Sequence, residues 1–139
     1  MSTSTYLRSR VDVRPFAGLL AVGDALAITS FVVAGIIQHG GQPFSNPGEV
    51  PGPVAPFLLG WFAVALLGGL YTVDALLSPR RALSWTAPAW VIAVLVGHGL
   101  RATSLFPGGT TAGFILVTLV VGGILVVGWR LLASVAIGR

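Results

Sequence analysis

The chain has 139 residues, 55% of them hydrophobic and only 9% charged, against roughly 25% charged in a soluble domain. With a mean hydropathy of +0.91 there is too little polar surface to cover a water-soluble globule, and lipid is the solvent this composition implies. Cysteine and lysine are absent, and eight arginines against four acids give a formal charge of +4, which excludes disulfides, thiolate metal sites, cysteine nucleophiles and Schiff bases on a primary amine.

Residues 1–15 form a polar tail carrying Arg8, Arg10 and Arg14. The first apolar window covers 16–37. It exceeds a signal-peptide core and no small-x-small site follows it, so it is expected to stay in the mature protein. Residues 38–53 hold Gly40, Gly41, Pro43, Pro47, Gly48, Pro51 and Gly52 and form the one long loop, because this composition breaks helices. A second window spans 54–73, and Ala75 to Ser84 connects it, through Ser78, Pro79, Arg80 and Arg81, to a third at 85–105. Pro88 then falls in the first turn of the third span, where a missing donor is harmless. A turn on Pro107, Gly108 and Gly109 leads to the fourth window, 111–129.

Each window of about 20 residues can cross roughly 30 Å of hydrocarbon. The spacing predicts an all-α, polytopic integral membrane protein: one domain, residues 1–139, built as an antiparallel bundle of four transmembrane helices. Arg8, Arg10, Arg14, Arg80, Arg81, Arg130 and Arg139 fall on one side and Arg101 on the other. Positive residues near span ends are retained in the cytoplasm, so both termini are expected there, with Glu49 and the 38–53 loop outside a cell membrane. Tyr71, Trp85, Trp90 and Trp129 near the cytoplasmic ends, and Trp61 further in, read as interfacial anchors. Gly35, Gly68, Gly69, Gly122 and Gly123 read as helix-packing positions.

Polar residues inside the windows are the informative ones, since a carboxylate in hydrocarbon costs several kcal/mol unless neutralised, paired or wet. Asp24 shares one helix stripe with Ile28, Phe31, Gly35 and His39, expected to face the bundle. Two readings stand for it: a proton- or cation-binding carboxylate, and a hydrogen-bonded Asp that locks helix packing. In the third span His98 and Arg101 share a face, His98 as a titrating partner within reach of Asp24, Arg101 snorkelling outward near His39. Asp74 ends the second span on the side of Arg14, Arg80, Arg81 and Arg130, which predicts rim ion pairs there.

No nucleophile sits in a recognisable turn, and two histidines far apart make no metal motif, so the chain reads as no enzyme and as needing no cofactor or metal. The pI near 11.2 rests on few charges placed in ones and twos beside apolar runs, which is not a nucleic-acid surface. Two functions remain. One is a proton- or cation-linked channel or transporter using Asp24, His98, Arg101 and His39. The other is an accessory or assembly subunit that packs against a larger membrane complex or binds a lipid or pigment. A homo-oligomer is expected in either case, because four short spans enclose little volume.

Several pieces in order carry a family likeness: Gly23-Asp24, Phe31, Gly35 and His39; Pro56-Phe57 with Gly60-Trp61; Ser78-Pro79-Arg80-Arg81; Trp85; Leu100-Arg101; Phe114; and Gly128-Trp129-Arg130. Together they resemble an uncharacterised family of four-span membrane proteins, domain of unknown function 3054. The resemblance implies a membrane protein of an archaeon or bacterium, haloarchaeal-like in its arginine-only basic residues and Gly, Ala and Val content. It brings no activity and no functional residue.

Overall fold

Local chemistry at the helix ends sets the frame. In the computed structural model, which describes residues 15–76, 78–103 and 111–137, α1 spans Pro15–Gln38, α2 spans Pro51–Gly68 and α3 spans Pro79–Arg101. The fourth helix, α4, opens with Ala112–Val117, passes through a π-helical stretch at Thr118–Gly122, and continues as Gly123–Ile137. Single 3-10 turns at Pro47–Glu49 and Val73–Leu76 lie between helices. No strand occurs among the described residues.

At two helix boundaries the departure from the apolar window has a capping reason. At the start of α3 the Ser78 hydroxyl accepts the Arg81 N–H at 3.1 Å and Pro79 occupies the first turn, so the helix begins at Pro79 rather than Trp85. Pro88 therefore lies in the helix interior, where its missing N–H leaves the Ser84 carbonyl without the usual backbone donor. At the end of α2, Gly69 takes φ 74°, ψ 26° and its N–H caps Ala65 and Leu66. Only glycine adopts that left-handed conformation without strain, so α2 stops at Gly68 rather than running to Val73. Gly68 and Gly69, expected on a packing face, terminate a helix instead.

Contacts between α1 and α2, α2 and α3, α3 and α4, and α4 and α1 close the helices into a ring. The tightest seam lies between α2 and α3. A Cβ built on Gly60 would sit 2.8 Å from the Ala93 carbonyl oxygen and 3.3 Å from the Gly97 nitrogen, so these two backbones touch directly. Gly122 and Gly123 leave room on α4 for the indole of Trp90, and Gly23 on α1 for that of Trp129. Gly35 has nothing within 4 Å of a Cβ position; it is not a packing glycine.

All four helices are long and apolar enough to cross a membrane. Their outward faces carry large apolar side chains such as Leu19, Leu26, Ile124 and Leu132, exposed by 62% to 71%. Exposure of this kind on every helix makes a multi-pass membrane protein whose outer surface is solvated by lipid. The end where α1 starts and α4 finishes is termed proximal below, the opposite end distal.

Candidate functional site

Asp24 lies nine residues into α1, about 14 Å from its start, and is 0% exposed. Opposite it on α4 stands Arg130, also 0% exposed. The pair is bidentate: Arg130 Nε donates to Asp24 Oδ1 at 3.0 Å and Nη2 donates to Oδ2 at 2.6 Å. Tyr71 Oη donates to the same Oδ2 at 2.6 Å, and Trp61 Nε1 donates to it at 3.2 Å. Three of these four donors converge on Oδ2 and one reaches Oδ1, and the Trp61 N–H is shared with Tyr71 Oη at 3.2 Å.

The arginine is equally engaged. Gly69 turns the chain out of α2, which frees the Leu70 carbonyl from helical pairing and brings it to Arg130 Nη1 at 2.8 Å. The guanidinium carbon lies 5.2 Å from the Trp61 ring centre and 5.1 Å from that of Tyr71, so two aromatic faces enclose the cation. Tyr71 stands in the connection beyond α2, where burial and the Asp24 carboxylate push its phenol above the ordinary value; the hydroxyl remains a donor to the acid. This dry, satisfied ion pair ties α1, α2, the turn after α2, and α4 together.

A second polar joint connects α3 to α4. The Thr118 hydroxyl donates to the Phe114 carbonyl at 2.7 Å, so its oxygen accepts from His98 Nε2 at 3.1 Å. The Thr118 carbonyl accepts from Trp90 Nε1 at 3.2 Å. In a π-helical stretch the i→i−4 ladder is interrupted, and here an indole and an imidazole from α3 occupy the groups around that interruption. His98 is 3% exposed and packs edge-on against Phe57 and Phe114, with ring centres 5.1 and 4.7 Å apart.

At the distal end residues of α1, α2, the end of α3 and the start of α4 line a cavity of about 500 Å³. Phe31, Val32, Ile36, Phe57 and Phe114 form its apolar walls, and His39, Glu49, Arg101 and Thr111 bring polar groups to it. The Arg101 side chain is 9% exposed and its guanidinium carbon lies 4.9 Å from the Phe114 ring centre. Glu49 is exposed and accepts the Gln42 N–H at 3.0 Å. Among the described residues there is no group of three or more His, Asp or Glu side chains placed to hold a metal ion.

The family model described as "Protein of unknown function (DUF3054)" matches residues 21–133. The chain belongs to this family. No curated protein and no solved structure matches it. The DUF3054 region encloses the whole ion-pair cluster, from Asp24 through Trp61, Tyr71 and Arg130, together with His98, Thr118 and Arg101.

Within this DUF3054 bundle the candidate residues separate into two groups. Asp24 and His98, expected within reach of each other, have different partners: Asp24 takes Arg130, Tyr71 and Trp61, and His98 takes Thr118. Arg130 was expected at a rim beside Asp74, but α4 continues to Ile137, which sets Arg130 inside the span. Arg80 is exposed, as is Arg81, which lies 5.8 Å from the Trp85 ring centre. Arg14 and the Asp74 side chain lie outside the described residues. Arg101 and His39 line one cavity, joined there by Gly35. Trp61, Trp90 and Tyr71, at 0%, 3% and 2% exposure, are interior donors rather than interfacial anchors. Their N–H and O–H groups were the available signal, since a buried carboxylate or free carbonyl needs such partners.

Proposed function

We propose that this DUF3054 protein is a non-catalytic membrane subunit that holds an apolar or amphipathic molecule in the distal cavity, with Asp24–Arg130 as the clasp that closes the proximal half. The cavity carries this reading. Its volume of about 500 Å³ falls within the roughly 300–1,000 Å³ of small-molecule sites, and its aromatic and aliphatic walls with a few polar groups match their composition. The ion pair supports it from the other side. A carboxylate already paired with Arg130 and accepting from Tyr71 and Trp61 has its charge compensated, and the arginine's own charge repels a travelling cation. With both termini cytoplasmic, the cavity opens toward the outer leaflet.

Dodecanol, a neutral single-chain probe, tests this reading in thermal unfolding of the protein in neutral maltoside micelles. Ligand that binds only the folded state raises the midpoint. The wild type is expected to show a saturable rise, and Gly35→Leu none, since a leucine there fills open space in the cavity wall and leaves the unliganded midpoint near that of the wild type. No saturable rise in the wild type, or the same rise in Gly35→Leu, would refute the reading.

A further inference from the structure

The connection between α1 and α2 carries the most exposed large apolar side chain among the described residues, Phe44 at 83%. Its backbone is tied down on both sides. At the end of α1, Gly40 takes φ 87° and the Gly41 N–H donates to the Ile36 carbonyl at 2.9 Å, which folds residue 41 back to the level of the last helical turn. Glu49 accepts the Gln42 N–H at 3.0 Å, and the Asn46 N–H closes a turn onto the Gln42 carbonyl at 2.7 Å. Pro43 is buried while Phe44 beside it is exposed. The chain is thus seated on the protein at Pro43, and the phenyl ring is held out from it.

The tether fixes the depth of that ring. Phe44 is two residues from either end of the turn, so its backbone lies no more than about 7 Å from Gln42. With 24 residues α1 is about 36 Å long, against roughly 30 Å of hydrocarbon flanked by about 5–7 Å of headgroups on each side, which puts its distal end at headgroup level. Ile37 in the last turn is 49% exposed, so the lipid-facing surface of the bundle continues up to the foot of the loop. An aromatic ring held at this depth leaves water by lying at the boundary of headgroups and acyl chains. Its neighbours Ser45 and Asn46 are polar and exposed. One apolar ring among polar neighbours suits a lipid interface, whereas a protein partner needs a contiguous patch.

We propose that Phe44 anchors the 39–50 loop on the distal leaflet, its ring lying among the lipid headgroups, so that this segment rests on the membrane rather than in the water beyond it. The anchor does not depend on the reading of the cavity as a ligand site.

The chain has no cysteine, so one introduced thiol carries a nitroxide label at a single place. Ser45 is exposed next to the ring, and a label on Ser45→Cys reports the depth of the loop in liposomes through its collisions with oxygen, which concentrates in lipid, and with a water-soluble nickel complex, which stays outside. Labelled Ser45→Cys is expected to show a higher oxygen-to-nickel ratio than a free nitroxide in buffer and a lower one than labelled Leu26→Cys, a position 62% exposed on the outward face of α1. Adding Phe44→Ser should abolish the excess over buffer, and Phe44→Trp should keep it. Both should leave the unfolding midpoint near that of Ser45→Cys alone, because the ring is exposed in the folded chain. A ratio equal to that in buffer with Phe44 in place, or an excess untouched by Phe44→Ser, would overturn the anchor. Few collisions with either reagent, together with broadening between labels that vanishes when unlabelled protein is mixed in, would also overturn it and put a second copy of the chain on the ring.

Discussion

Arg130→Met is expected to cost the bundle roughly 3–5 kcal/mol, because it strands the Asp24 carboxylate in a dry interior with only Tyr71 and Trp61 as donors. Asp24→Leu should cost a similar amount by leaving the buried guanidinium with only the Leu70 carbonyl. The combined variant is expected to be more stable than Arg130→Met alone, since removing both charges removes the uncompensated one, and exchanging a buried ion pair for apolar side chains is often neutral. Some loss remains in the double variant, where the Leu70 carbonyl loses the Arg130 donor and the Tyr71 hydroxyl loses its acceptor and keeps only the Trp61 N–H. Unfolding in mixed micelles followed by circular dichroism closes the cycle. Additive losses in the double variant would show that the two side chains do not act as a pair.

The second large effect is expected from Gly60→Leu. Its Cβ would lie 2.8 Å from the Ala93 carbonyl oxygen, a backbone atom that cannot rotate away, so α2 and α3 must separate along the seam. Overpacking typically costs 1–3 kcal/mol, and a clash against backbone places this variant at about 3 kcal/mol. Gly128→Ala is the matched control. Nothing lies within 4 Å of a Cβ at Gly128, and an alanine in mid-helix gains up to about 1 kcal/mol from propensity. The same micelle unfolding measurement should therefore separate the two glycines in sign; equal effects would contradict the direct backbone contact.

The two cases also mark what the sequence discloses. Four helices follow from hydropathy alone, because a window of about 20 apolar residues has few stable alternatives in lipid. Asp24 stands out for the same reason. Its partner does not, because an arginine directly after Trp129 has the pattern of a span end, and only the continuation of α4 to Ile137 turns Arg130 into an interior residue. Trp61 and Tyr71 are ambiguous in a different way: their amphipathic rings suit an interface and a buried acceptor equally well, and hydropathy cannot separate the two. The π-helical stretch at Thr118–Gly122 leaves no periodic trace, since five apolar or small residues satisfy either helix. Of the five glycines read as packing positions, Gly122 and Gly123 receive an indole, Gly68 and Gly69 end a helix, and Gly35 faces the cavity. Small size is a common requirement of all three roles. The distal cavity is lined by residues of four elements, a three-dimensional fact that no stretch of sequence carries.

The clasp and the conduit differ most directly in proton movement. Liposomes containing the purified protein, given an imposed pH difference and an internal pH dye, should leak at the rate of protein-free vesicles, with an added ionophore proving them sealed. Folded Asp24→Asn should be indistinguishable from the wild type. Proton entry in the wild type above the protein-free rate, abolished in Asp24→Asn, would contradict a carboxylate fully held by Arg130, Tyr71 and Trp61 and make Asp24 a carrier of protons.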